Sequence, residues 1–72
     1  MNRMEFLMEL KELMMLEKQP DLATELATID EWDSMTRLSV LEIFEDSLNK
    51  QIDTEDLEKL TTVQQLIDLA GL

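Results

Sequence analysis

Seventy-two residues, with seventeen acidic side chains, six basic ones and neither His nor Cys, make one small domain in which most catalytic chemistry is excluded at the outset. Without imidazole or thiol the commonest general base, thiolate nucleophiles, disulfides and His/Cys metal sites are all missing, and a core of this size yields only about 3–5 kcal/mol of net stability, with little room for a buried cleft. The formal charge of −11 repels phosphate backbones and anionic lipid, so basic proteins or divalent cations are the expected partners, and nucleic acid and membranes are not.

The chain begins with a helix, about Arg3 to Lys18, in which Phe6, Leu7, Leu10, Leu13 and Met14 recur at three- and four-residue spacing and form a buried face. Met8 and Met15 lie at its margin, as flexible core filler or mildly exposed side chains, with a Met-rich binding face as the alternative. Glu5, Glu9, Lys11 and Glu12 interrupt this apolar run, which does not read as a signal peptide. No segment approaches the ~20 apolar residues that span a bilayer. A soluble cytoplasmic chain is the expectation, and the absence of Cys fits a reducing compartment.

Pro20 is expected to end the first helix, since proline cannot continue one. A long connection of mixed character follows, with Leu22, Leu26 and Ile29 tacking it onto the bundle around a helical turn. The second helix starts at Asp33 or Ser34 and runs to about Leu48, with Met35, Leu38, Val40, Leu41, Phe44 and Leu48 as its apolar face. Ile52 plugs the core from the next connection, and Thr54 caps a short helix, Glu55 to Leu60. Thr61 or Thr62 caps the last helix, whose inner face is Val63, Leu66, Ile67 and Ala70, with Gly71 just past its end. The expected fold is all-α, a four-helix bundle of three main helices and a short third one.

The residues that bear on chemistry are Trp32-Asp33-Ser34-Met35, at the start of the second helix. Asp and Ser are good N-caps, each worth roughly 1 kcal/mol, and an isolated pair would need no further account. A helix start also supplies unpaired amides and a dipole that favour an anion by about 0.3–1 kcal/mol. A serine there is an exposed hydroxyl on a rigid support, suited to carrying a phosphate.

From Asp33 the pattern continues through Leu38, Leu41, Glu45-Asp46, Ile52, Glu55-Asp56, Glu58-Lys59 and Thr61-Thr62-Val63-Gln64 to Ile67-Asp68. Over this second half the chain resembles the acyl carrier protein family. The first half resembles it only in layout, one helix and a long connection. The resemblance implies a carrier-type bundle bearing 4'-phosphopantetheine, from coenzyme A, on Ser34, with cargo held as a thioester. Asp33 would cap the helix and help a phosphopantetheinyl transferase hold its metal ion. Leu38, Leu41, Ile52, Leu57 and Val63 would shelter an acyl chain, with no specific metal site in the protein itself. An acyl- or aminoacyl-loading ligase and downstream acyl-transfer enzymes with basic docking surfaces are the implied partners, in a specialised biosynthetic pathway. Nothing demands more than a monomer.

Partner recognition falls on Met35, Arg37, Glu42, Glu45, Asp46, Asp53, Glu55 and Asp56. Between Asp30 and Glu58, ten acids face only Arg37 and Lys50, a local charge of −8, and such a patch accelerates encounter with basic partners. Two positions depart from the family pattern. Trp32 stands where a small residue is usual, either bedding its indole on the bundle or touching cargo. Arg37 and Ser39 stand where acids are common; Arg37 pairs with Asp33, pairs with the phosphodiester, or is simply solvated. The alternative from another class is an acidic helical interaction module, or a carrier fold that is never modified, binding a basic partner. An EF-hand does not explain the acids, since neither Asp30-Glu31-Trp32-Asp33 nor Asp53-Thr54-Glu55-Asp56 has its ligand spacing and glycine.

Overall fold

Helix signals in the sequence become four helices joined by irregular connections: α1 (Arg3–Leu13), α2 (Ser34–Ser47), α3 (Thr54–Glu58) and α4 (Val63–Ala70), with one 3-10 turn at Leu26–Thr28. The computed structural model describes residues 1–72. Eleven buried side chains form one core: Phe6, Leu10 and Met14 from the N-terminal segment, Leu26 from the connection, Val40 and Phe44, Leu57, and Val63, Leu66, Ile67 and Ala70. Phe6 and Phe44 meet edge to face at 6.0 Å between ring centroids, a favoured aromatic geometry that fastens α1 to α2.

α1 starts in a capping box: the Glu5 amide donates to Asn2 Oδ1 at 2.8 Å, and the Asn2 amide donates to Glu5 Oε1 at 3.1 Å. Its end corrects the expected boundary at Lys18, because Pro20 is not what stops it. The Met15 amide donates to the Glu12 carbonyl (3.2 Å) and the Leu16 amide to the Lys11 carbonyl (2.9 Å), the bonding of a Schellman turn. This puts Met15 at φ 55, a conformation that costs a non-glycine residue roughly 1–2 kcal/mol. The turn lets Met14 be fully buried and Leu16 fold back onto the core, while Met15 stands 87% exposed. Met8 is also exposed, so neither methionine fills the core.

The long connection is stitched to the start of α4. The Leu26 amide donates to the Thr61 carbonyl at 2.8 Å, and in return the Val63 and Gln64 amides donate to the Thr24 and Leu22 carbonyls at 3.0 and 2.9 Å. Two of the unpaired amides that every helix start exposes are thereby satisfied by a segment distant in sequence. Leu22 and Ile29 pack against the core beside buried Leu26, so the anchors of the connection are the expected ones.

α2 has the expected boundaries but not the expected face. Thr36, Val40 and Phe44 are its buried positions, one turn apart each, while Ile43 and Leu48 pack at the side. Met35 is 77% exposed and Leu38 is 53% exposed, so these two do not join the core. The buried stripe is set by Phe44 meeting Phe6, which turns Met35 and Leu38 outward. α3 begins one residue earlier than expected and ends at Glu58. Asp53, not Thr54, is its cap, and Asp53's own amide donates to the Asp56 carboxylate at 3.1 Å. α4 is capped by Thr62, whose hydroxyl accepts from the Gln65 amide at 3.3 Å, and it buries all four expected side chains. At its end Gly71 takes φ 79, where an added Cβ would lie 2.9 Å from Lys50 Nζ.

Candidate functional site

Ser34 is the first residue of α2, and its side chain is exposed. Asp33 precedes it in extended conformation and accepts from the Thr36 amide through Oδ1 at 2.9 Å. That amide holds the Asp33 carboxyl below its ordinary value; the Thr36 side chain and the Met35 amide add to the effect, against a smaller opposing desolvation. Asp33 is therefore an anion throughout the neutral range. The Ser34 and Met35 amides donate to no carbonyl, which leaves the start of α2 polarised toward solvent.

Arg37 lies one turn along from the serine. Its Nη2 donates to Ser34 Oγ at 3.4 Å and stands 3.9 Å from Glu58 Oε1, and its Nη1 donates to the Trp32 carbonyl at 3.4 Å. With 18% of its side chain exposed, Arg37 is not a simply solvated residue, and its carboxylate partner is Glu58 rather than Asp33. The Arg37–Glu58 contact is the one ion pair in the molecule. Only three-dimensional packing reveals Glu58 in this role, because it reaches the site from α3.

Two shallow grooves meet at this ion pair. One, of about 230 Å³, is lined by Ser34, Arg37, Leu38, Thr54 and Glu58. The other, of about 300 Å³, is lined by Leu26, Ala27, Trp32, Arg37, Glu58 and Leu60. Trp32 packs half-buried against the core, with its amide donating to the Ile29 carbonyl at 3.0 Å. It braces the turn that presents Asp33 and Ser34.

The residues expected to line an acyl chain do not share a cavity. Leu38 borders the groove beside Ser34, Leu41 and Ile52 are half-buried, and Leu57 and Val63 are sealed within the core. The expected recognition residues are better gathered. Met35, Leu38, Glu42 and Glu45 recur along one outward stripe of α2, with Asp46 beside it, all exposed. Asp53 and Glu55 are exposed at the start of α3, whereas Asp56 is half-buried and occupied by the Asp53 amide. None of these carboxylates has a cationic partner. Lys50, near the end of α2, instead donates to the Leu69 carbonyl at the end of α4 at 3.4 Å. No three acidic side chains converge where they would hold a metal ion, and no helix is long and apolar enough to cross a membrane.

Comparison of the chain with protein-family models, curated proteins and solved structures returned no match.

Proposed function

We propose that this chain is an acyl carrier protein, a non-enzymatic cytoplasmic shuttle bearing 4'-phosphopantetheine on Ser34. The observation that carries the reading is an exposed serine hydroxyl at the first position of a helix, flanked by a helix-capping aspartate and a cation within hydrogen-bonding range. These residues fit the group. A phosphodiester on Ser34 Oγ would lie among the unpaired amides of α2 and beside Arg37, both of which favour an anion.

In the attachment step the Ser34 oxygen would bond to the phosphorus that bears pantetheine, the pyrophosphate bond of coenzyme A would break with adenosine 3',5'-bisphosphate leaving, and the hydroxyl proton would pass to a base of the transferase or to solvent. Asp33 keeps the helix start in place and, remaining ionised, offers the transferase a carboxylate for its metal ion. When bound, the arm supplies a terminal thiol that holds acyl or aminoacyl cargo as a thioester. The protein's own residues fix where that arm originates. Met35 and Leu38 offer an apolar contact framed by Glu42, Glu45 and Asp46, a surface suited to loading ligases and acyl-transfer enzymes with basic docking faces.

A second reading has its own support: Arg37 already engages the Ser34 hydroxyl, as it would in an unmodified interaction module whose acidic face binds a basic partner. The deciding measurement is intact-protein mass spectrometry after incubation with coenzyme A, Mg²⁺ and a broad-specificity phosphopantetheinyl transferase. Addition of one phosphopantetheine, lost in Ser34→Ala, is the expected result. A folded protein that gains no mass, even with its native host's transferases, would leave the interaction module as the function.

A further inference from the structure

We propose that Arg37 is an exchangeable anion clamp, which holds Glu58 while Ser34 is unmodified and turns to the phosphodiester once Ser34 carries one. This rests on the carrier reading of Ser34. The modification would then be felt beyond the serine, as release of Glu58, at the end of α3, from α2.

Arg37 has the geometry of a donor without a committed acceptor. A guanidinium offers five N–H groups in a fixed fork, yet all three of its partners here lie at 3.4 Å or more, and Nη2 is shared between Ser34 Oγ and Glu58 Oε1. Charge-assisted bonds from arginine to phosphate or carboxylate close to about 2.7–2.9 Å when the acceptor is well placed. Phosphate oxygens borne on Ser34 Oγ would sit on the very atom that Nη2 already approaches. Arg37 is held in that direction by the Trp32 carbonyl, so reaching them needs little rearrangement.

Glu58 is the weaker competitor. Its side chain is 56% exposed, and exposed ion pairs contribute little because water replaces the lost partner. What its release changes is the attachment of α3. That helix has only five residues with Leu57 its one buried side chain, and the Arg37–Glu58 pair holds its last residue beside α2. Both grooves at the site are walled by this pair. Opening it would remove the wall that the groove beside Ser34 shares with the one lined by Trp32, Leu26 and Leu60.

The experiment is a thermal-melt cycle of Arg37→Gln, Glu58→Gln and the double variant, in unmodified protein, in phosphopantetheinylated protein and on a Ser34→Glu background. In unmodified protein the two side chains are expected to be coupled by about 1–5 °C in Tm, the size an exposed ion pair produces in so small a domain. That coupling should vanish on modification and also with Ser34→Glu, which puts a carboxylate within reach of Arg37. The ¹⁵Nε resonance of Arg37 should shift on modification in wild type and in Glu58→Gln alike. A coupling that is absent from the unmodified protein, or that survives modification, overturns the proposal. If no phosphopantetheine can be attached, the carrier reading falls, and the Ser34→Glu background alone decides the clamp.

Discussion

Helices α2 and α4 begin in the same way, with a side-chain cap and an exposed row of amides, and are then used in opposite ways. At α4 the row is consumed: Val63 and Gln64 donate to Thr24 and Leu22, and Gln65 to the Thr62 hydroxyl. At α2 the Asp33 cap takes the Thr36 amide, Arg37 joins the regular helix ladder to Asp33, and the Ser34 and Met35 amides reach no carbonyl, Met35 only leaning on the Asp33 carboxylate. A closed helix start is a structural joint. An open one, with a hydroxyl at its tip and an arginine beside it, is a place where chemistry can be added without dismantling the fold.

The joint should be the fragile end of this comparison. Leu26→Ala removes the buried side chain that seats the connection on α4. A loss of about 2–5 kcal/mol is expected for such a truncation, which approaches the whole stability of a domain this size, roughly 3–5 kcal/mol. Far-ultraviolet circular dichroism with urea titration should show a largely unfolded chain at room temperature. Thr62→Ala, which removes only the cap, should cost about 1 kcal/mol and lower Tm by about 4–8 °C. At the open start, Ser34→Ala should alter stability by less than about 0.5 kcal/mol while abolishing phosphopantetheine addition. Equal losses from the Thr62 and Ser34 variants would erase the distinction between joint and open end.

The subtlest effect is pH-dependent. Asp33's carboxyl titrates lower in the folded chain than in the unfolded one. Its contribution to stability is therefore present above the unfolded value of about 3.9 and is lost as pH falls through the folded value. Asp33→Asn keeps a capping oxygen without the charge. Its Tm should lie slightly below wild type at pH 7, and the gap should close as the pH is taken below the unfolded value. A gap that is constant with pH would mean that the charge plays no part in holding the start of α2.

Local signals explain most of what the sequence revealed. The boundaries of α2 and α4, the Thr62 cap, Gly71, the anchors of the connection and the exposed Ser34 all follow from residues within a few positions of one another. The end of α1 did not, because Met15 takes a backbone conformation that its residue type disfavours, in return for burying Met14 and folding Leu16 inward. Proline five residues further on was the louder signal and the wrong one. Asp53 and Thr54 are both cap residues, so composition alone does not choose between them. The outward turn of Met35 and Leu38, and the pairing of Arg37 with Glu58, depend on how α1 and α3 lie against α2. Contacts between distant segments leave no trace in helical periodicity.

The stitch between the connection and α4 also bears on how fast the chain assembles. Thr24 and Val63 enclose all of α2 and α3 between them, so α4 gains its satisfied first turn only after that long loop has closed. Closure entropy must be overcome before the reward arrives. Folding should accordingly lag behind that of helical bundles built on contacts between neighbours alone. Substitutions at Leu26 or Thr62 that act before the rate-limiting barrier would slow folding, whereas those along the outward stripe of α2 would leave its rate unchanged.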